Sequence, residues 1–107
     1  MSFLLGIDQG TSGSRALIIN DEGQICGYAH VQLPRLYPQP DRVEQDPFAV
    51  SAGVAAAITQ AIGQAGCDPG DIVACGLTCQ RNSDFVWDAE TKRPLANAIT
   101  WQDLRTA

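Results

Sequence analysis

Three segments at the start of the chain have apolar patterns typical of strands. Residues 3–7 are a continuous apolar run ending at Asp8, which predicts a buried central strand. Residues 14–20 predict a second strand. Apolar and polar positions alternate strictly over 24–33, with Ile25 first on the apolar face, which predicts a half-exposed strand at or near a sheet edge. The short turns between these segments predict a three-stranded antiparallel meander.

A helix is predicted after a proline-containing loop at residues 34–46. Asp46 is a suitable N-cap, Pro47 fits the first helical position, and Gly66 is a suitable C-cap. Residues recur at three- and four-residue spacing and predict one stripe facing the core: Phe48, Ser51, Val54, Ala55, Ile58, Ile62 and Ala65.

The apolar run at residues 72–77 predicts a further buried strand after the helix. A strand, a crossover helix and a second strand imply parallel pairing with a right-handed connection. Two extended segments, 83–87 and 94–101, flank a turn at 88–93, and Trp87 is predicted to lie in the core. The whole pattern predicts an α/β fold: part of a ribonuclease-H-like domain, in which an antiparallel three-strand meander is followed by a helix and a parallel strand.

Composition narrows the functional classes. The chain is 45% hydrophobic and 18% charged, as folded globular proteins are. A net charge of -5 with seven scattered basic residues argues against nucleic-acid binding. No run of about 18 apolar residues is evident, so no membrane association is expected. The N-terminus lacks the basic region of a signal peptide, and a cytoplasmic location is expected.

The four cysteines, Cys26, Cys67, Cys75 and Cys79, form no CxxC pair, and His30 is the single histidine. Zinc sites and disulfide frameworks need closer or more numerous ligands. We therefore expect buried free thiols in a reducing compartment.

The strongest chemical signal is the turn that follows the first strand. Asp8 is delivered to the strand end, and residues 9–13 are small and rich in backbone N–H groups. Amides and the hydroxyls of Thr11 and Ser12 are donors for phosphate oxygens. A carboxylate beside phosphates makes sense if Mg²⁺ or its bound water lies between them, and Arg15 adds a permanent positive charge. The plain alternative is an ordinary glycine-rich hairpin.

Four blocks together carry a family resemblance: residues 8–15, 37–47, 76–82 and 86–107. In this order they resemble the FGGY carbohydrate kinases, and glycerol kinases most closely, within the actin and hexokinase superfamily. The resemblance implies an actin-like ATPase fold, with residues 1–107 the N-terminal part of the first kinase domain of a longer chain. It also implies phosphorylation of a primary hydroxyl of a small-molecule polyol or sugar, with ATP and Mg²⁺ as cofactors.

The resemblance assigns a nucleotide role to the first turn. Thr11, Ser12, Gly13 and Arg15 would contact the nucleotide phosphates, and Asp8 would lie near the metal ion. Position 13 departs from the pattern, because glycerol kinases commonly carry a serine there. Gly13 leaves only backbone donors.

The resemblance also implies a substrate pocket. Arg81 would hydrogen-bond substrate hydroxyls with its fork of donors, and Trp101 would form a wall of the pocket. Without the other blocks, Arg81 would be interpreted as a surface charge and Trp101 equally well as a core residue. Asn82 stands where glycerol kinases carry a glutamate. It is a substrate-binding candidate that can both donate and accept, so the substrate is left open.

Several alternatives follow from the same residues. The resemblance places the catalytic base and the adenine pocket downstream, so the chain alone is expected to be inactive. The missing half of the sheet and core would leave apolar surface exposed, so the chain alone is also expected to self-associate. The parent protein is expected to be a homo-oligomer. Asn82 keeps open a kinase for a ketopentose or tetritol. An actin-like ATPase acting without a sugar should lack the blocks around Arg81 and Trp101. A stand-alone binding module is a further alternative.

Overall fold

The computed structural model describes residues 1–106, which form one mixed sheet, one long helix and a C-terminal segment with little regular structure. The elements are, in chain order, β1 (Phe3–Gln9), β2 (Gly13–Asn20), β3 (Ile25–Gln32), β4 (Glu44–Gln45), α1 (Pro47–Ala65), a 3₁₀ turn (Pro69–Asp71), β5 (Ile72–Cys79) and β6 (Ala98–Ile99).

The main sheet has the strand order β3-β2-β1-β5. The first three strands form the predicted antiparallel meander, and β5 pairs in parallel with β1 after the crossover through α1. β1 is therefore central, as predicted, and β3 and β5 are the edges. β1 is longer than predicted, so Asp8 lies within the strand and pairs with Arg15 of β2.

Both predicted ends of α1 are confirmed. The Asp46 carboxylate accepts a hydrogen bond from the Phe48 N–H at 2.9 Å, and Pro47 occupies the first turn. Gly66 adopts the left-handed conformation (φ 66°) and its N–H donates to the Ile62 carbonyl at 2.9 Å. Each cap satisfies a backbone group that the helix itself cannot.

The predicted core stripe of α1 is only partly correct. Ile58, Ile62 and Ala65 pack against the core as half-buried side chains, but Phe48, Ser51 and Ala55 are exposed. The fully buried positions are smaller residues at four-residue spacing: Gly53, Ala57 and Ala61.

Close approach of α1 to β3 explains that choice of small residues. A Cβ placed on Gly27 of β3 would lie 2.1 Å from the Ala61 carbonyl oxygen, so only glycine fits. Residue size determines which positions of α1 are buried against β3 more strongly than hydrophobicity does. The three- and four-residue spacing of apolar residues does not show how small those residues must be.

α1 also corrects the expectation about membrane-length segments. It has 19 residues and a mean hydropathy of 1.3, enough by length and composition to cross a membrane. Its small-residue face packs against β2 and β3, as the core helix of a globular fold does. The absence of a membrane partner stays a prediction.

One face of the sheet carries the core beneath α1, and the opposite face is open. The core holds Phe3, Leu5, Ala16 and Ile18. β5 was predicted to be buried, and this is wrong: residues 73–79 are exposed, because β5 is an edge strand and α1 barely reaches it.

Ile25 of β3 is also exposed, contrary to the alternating pattern. The register of β2 with β3 shifts between Ile18 and Ile19, so Cys26 is the extra residue of a β-bulge. The bulge breaks the two-residue period at Ile25. Cys26 then packs against the core in its place.

The C-terminal segment returns to the sheet's end through β6, which pairs antiparallel with β4. The predicted turn at 88–93 is present, with the Asp88 N–H donating to the Arg93 carbonyl at 2.8 Å. Trp87 flanks it in a bridge with Pro94 and is 58% exposed, so its predicted core position is wrong.

The four cysteines are free thiols, but the prediction that they are buried is wrong. Cys26 and Cys67 are half-buried, and Cys75 and Cys79 are exposed on the edge strand β5. Within residues 1–106, no group of three or more His, Cys, Asp and Glu side chains is placed to hold a metal ion.

Candidate active site

The turn between β1 and β2 is closed by a backbone hydrogen bond from the Gly10 N–H to the Gly13 carbonyl at 2.9 Å. In residues 1–106, neither the Thr11 nor the Ser12 backbone N–H donates to a protein acceptor. Two consecutive free amides at the tip of a turn are a suitable cradle for an anion.

Gly13 has a packing role at the base of this turn. It is buried at the start of β2, and a Cβ there would lie 2.4 Å from the Val31 carbonyl oxygen and 2.6 Å from the His30 Nε2. A serine at this position would require β3 to move. The departure at position 13 therefore follows from the close approach of β3.

Asp8 and Arg15 form an ion pair on the open face of the sheet, with 3.7 Å between Arg15 Nη1 and Asp8 Oδ2. Both side chains are about half exposed. An exposed pair of this kind contributes little to stability, so both groups can exchange partners at small cost. Asp8 can therefore exchange Arg15 for another cation, and Arg15 can exchange Asp8 for another anion.

A cleft of about 680 Å³ opens where β1, the β1–β2 turn, the end of β5 and Trp101 meet. Five of the eight predicted site residues line it: Asp8, Thr11, Arg81, Asn82 and Trp101. They come from positions up to 93 residues apart and converge because β5 pairs in parallel beside β1, which places both strand ends at one edge of the sheet. The remaining lining residues are Gly10, Cys79 and Gln80.

The other three predicted residues do not line this cleft. Ser12 is exposed at the turn tip, Gly13 is buried behind it, and Arg15 lies on the adjoining open face beside Asp8. Their predicted contacts with nucleotide phosphates stay predictions.

Trp101 stands at the cleft with 55% of its surface exposed, so the core interpretation is excluded. Its indole Nε1–H donates to the Thr11 hydroxyl at 2.8 Å. This bond ties the Trp101 ring to the β1–β2 turn, and Arg81, which lines the same cleft, is exposed. Asn82 has a positive φ of 57°, a conformation that asparagine tolerates better than most residues with a side chain.

Polar side chains under the cleft were not predicted from the sequence. Gln80 contacts Thr11, Ser83 and Gln45, each within 3.1 Å, and Gln45 is completely buried. Neither glutamine belongs to a periodic pattern of apolar and polar residues that would have indicated its burial at the site. The position of Gln80 directly before Arg81 was the available clue.

The comparisons with known proteins agree with this geometry. Residues 3–107 match the model of the FGGY family of carbohydrate kinases, N-terminal domain. The chain belongs to the FGGY family of carbohydrate kinases. Its predicted fold class is confirmed: an α/β fold of the actin-like ATPase superfamily, with a strand meander followed by a helix and a parallel strand.

Curated relatives of the chain include glycerol kinases. The chain is 44% identical over 105 residues to the glycerol kinase of Chromobacterium violaceum and 45% identical over 105 residues to that of a Janthinobacterium strain. Each match covers 98% of this chain and 21% of the relative. The chain thus spans about a fifth of the length of the curated relatives it matches.

Solved structures of the family superpose closely. A xyloylose kinase from Brucella ovis matches with a TM-score of 0.85 and 34% identity, covering 96% of this chain and 21% of that one. The Plasmodium falciparum glycerol kinase with ADP matches with a TM-score of 0.85 and 25% identity, covering 98% and 21%. Similar folds thus occur in family members named for different substrates.

Proposed function

We propose that the complete polypeptide transfers the γ-phosphoryl group of ATP to a primary hydroxyl of a polyol or sugar, with glycerol the first candidate. The convergence of Asp8, Thr11, Arg81, Asn82 and Trp101 on one cleft carries this proposal. Donors, a carboxylate and an aromatic wall are what a polyhydroxy ligand beside a phosphate requires. The glycerol kinases at 44–45% identity support glycerol over other substrates.

The nucleotide phosphates would bind at the β1–β2 turn, with the Thr11 and Ser12 backbone N–H groups as donors and Arg15 beside them. The ADP named with the Plasmodium falciparum relative supports nucleotide use. Gly13 would contribute by letting the turn approach β3 closely. Phosphoryl transfer depends mainly on positioning and charge neutralisation, which these groups supply.

Asp8 is the residue that would hold Mg²⁺. Mg²⁺ in phosphoryl-transfer sites is commonly bound by one or two carboxylates together with the phosphates, and Asp8 offers one half-exposed carboxylate at the cleft. The ion would shield the charge between Asp8 and the phosphates. Asp8 is the single carboxylate lining the cleft among residues 1–106. The family resemblance implies a catalytic base further along the full-length polypeptide, so we expect the chain alone to be inactive.

The test is ADP release by the full-length polypeptide with glycerol, erythritol, xylulose or ribulose, and with none of them. We expect Mg²⁺-dependent ADP release with at least one of these compounds and none above background without it. Equal release in every arm would indicate a sugar-independent ATPase. No release in any arm would contradict the proposal.

The Asp8→Asn variant tests the metal role. We expect the Mg²⁺ concentration for half-maximal activity to rise about tenfold or more, because a neutral amide binds a hard cation far more weakly than a carboxylate does. A matched Asp21→Asn variant in the exposed β2–β3 turn should leave it unchanged.

A further inference from the structure

The hydroxyls of Thr11, which lines the cleft, and of Ser83 lie between Trp101 and Gln80. The Thr11 hydroxyl accepts from the Trp101 indole N–H at 2.8 Å, and the Ser83 hydroxyl accepts from the Trp101 backbone N–H at 3.3 Å. Both hydroxyl oxygens also lie 3.1 Å from Gln80 Oε1. An N–H group can only donate, so each hydroxyl keeps its single proton free to point at Gln80 if Gln80 presents its amide oxygen.

Backbone carbonyls fix the same direction from the other end of the network. The Gln45 side-chain NH₂ donates to the Thr11 carbonyl at 2.8 Å, and the Gln9 NH₂ donates to the Gly10 carbonyl at 2.9 Å. A carbonyl can only accept, so both glutamines turn their oxygens away from the turn. Those oxygens accept from the Gln80 NH₂ at 2.9 Å and 3.4 Å. Gln80 must then present its oxygen to the hydroxyls.

The direction of each hydrogen bond in this network is therefore fixed by the Trp101 N–H groups at one end and by the Thr11 and Gly10 carbonyls at the other. The Thr11 proton points at Gln80, one lone pair receives the Trp101 indole, and one lone pair remains. Thr11 also lines the cleft. Its hydroxyl thus offers an acceptor to a ligand, and donation to a phosphate would require breaking the bond to Gln80.

We propose that Thr11 is a substrate-binding residue whose hydroxyl accepts a hydrogen bond from a hydroxyl of the polyol, with Gln80 and Gln45 as the positioning residues that hold it in this state. The inference rests on the proposed kinase function. A polyol hydroxyl both donates and accepts. Arg81 can supply only donors, so the proton of a hydroxyl bound to Arg81 needs an acceptor in the same cleft. Thr11 supplies one, while the phosphates are bound by the backbone N–H groups of the turn.

The first test is a comparison of KM values in the full-length enzyme. In Thr11→Val we expect the polyol KM to rise about tenfold and the ATP KM to change less than twofold. Thr11→Ser, which keeps the hydroxyl, should restore the polyol KM to within about threefold. Thr59→Val makes the same chemical change on the exposed face of α1 and should alter neither constant. A tenfold rise of the ATP KM with an unchanged polyol KM would overturn the inference.

The second test examines the positioning residues and does not depend on activity. The Trp101 indole N–H resonance of ¹⁵N-tryptophan-labelled full-length protein is assigned by its loss in Trp101→Phe. We expect an upfield shift in Thr11→Val, since the acceptor is gone, and a smaller shift in Gln45→Leu together with a raised polyol KM. Gln60→Leu, on the exposed face of α1, should change neither the indole resonance nor the polyol KM.

The two failures are distinguishable. An unsubstituted full-length protein that phosphorylates none of the test compounds would overturn the proposed function. An active enzyme whose indole resonance is the same in Thr11→Val as in the parent would overturn the network, and the role of Thr11 with it.

Discussion

At the scale of one residue, the asparagine at position 82 has two possible explanations, the backbone conformation there and a contact with the substrate. Its left-handed φ of 57° suits asparagine or glycine, whereas a glutamate there would be more strained. The residue is therefore explained either by the backbone or by a substrate contact in the cleft that it lines. The two explanations make different predictions for one substitution.

We expect Asn82→Gly to keep the backbone conformation and raise the polyol KM about fivefold, because a side-chain hydrogen bond worth about 1 kcal/mol is lost. The measurement is steady-state kinetics of the full-length enzyme, with its melting temperature as the check on folding. An unchanged polyol KM would show that Asn82 serves the backbone alone.

Individual residues of the cleft could be predicted from the sequence only where they belong to a recognisable motif. Asp8, Thr11, Arg81 and Trp101 were identified and do meet in the cleft. Gln45 and Gln80 were not, since a buried amide network depends on side chains that the fold brings together from three separate segments. The functional lone pair of Thr11 is likewise visible only once its partners are known.

At the scale of elements, the contact of α1 with β3 depends on glycine and alanine. Gly27 of β3 lies against Ala61 with no room for a Cβ. Gly63, two residues further along α1, has open space at its Cβ position. The same glycine-to-alanine change can therefore be compared at a crowded position, Gly27, and at an open one, Gly63.

We expect Gly27→Ala to destabilise the full-length protein by about 3 kcal/mol, because the helix must be displaced from the sheet. Gly63→Ala should stabilise it by about 0.5–1 kcal/mol through helix propensity. Urea unfolding of both variants checks this. Equal effects of the two substitutions would show that the close approach is not required.

A second contact between elements joins β4 to the C-terminal segment through side-chain ion pairs. The Arg105 guanidinium lies 2.7 Å from both the Glu44 and the Asp103 carboxylates, and Asp103 also accepts from the Val43 N–H at 2.7 Å. Hydrogen bonds from the Arg105 side chain hold the pKa of the Asp103 carboxyl far below its usual range, and Arg105 also lowers the pKa of Glu44. Arg105 thus ties the segment carrying Trp101 to the strand before α1.

The pH dependence follows from the direction of these shifts. A carboxylate whose pKa is lowered on folding stabilises the protein at neutral pH, and this contribution decreases as the pH falls below about 4, where the unfolded chain begins to bind protons. We expect Asp103→Asn to lower the melting temperature at pH 7 and the difference from the parent to narrow steadily below pH 4. The measurement is thermal unfolding from pH 7 to the lowest pH at which both proteins fold. A difference that is constant or widens in acid would contradict the assignment.

At the scale of the whole molecule, the order of the strands was predictable and the burial of the sheet was not. Hydrophobic runs at residues 3–7 and 72–77 predicted β1 and β5, and the crossover helix predicted parallel pairing; the structure shows that the partner of β5 is β1. The same runs predicted burial of β5, but Val73 and Leu77 are 66% and 70% exposed. Hydrophobicity reports what a strand can bury, and the partner that buries it need not lie within the same 107 residues.

That exposed edge leads to a prediction about assembly. When residues 1–107 are expressed alone, the outer edge of β5 has no strand paired to it, and the open apolar face includes Leu17 and Leu77. Edges of this kind pair with other copies, so we expect concentration-dependent self-association in sedimentation velocity experiments. Leu77→Lys places a charge on the edge and should increase the monomer fraction severalfold. Leu95→Lys changes a similarly exposed leucine outside the main sheet and should leave the monomer fraction unchanged. A chain that stays monomeric at every concentration would show that the open face is not adhesive by itself.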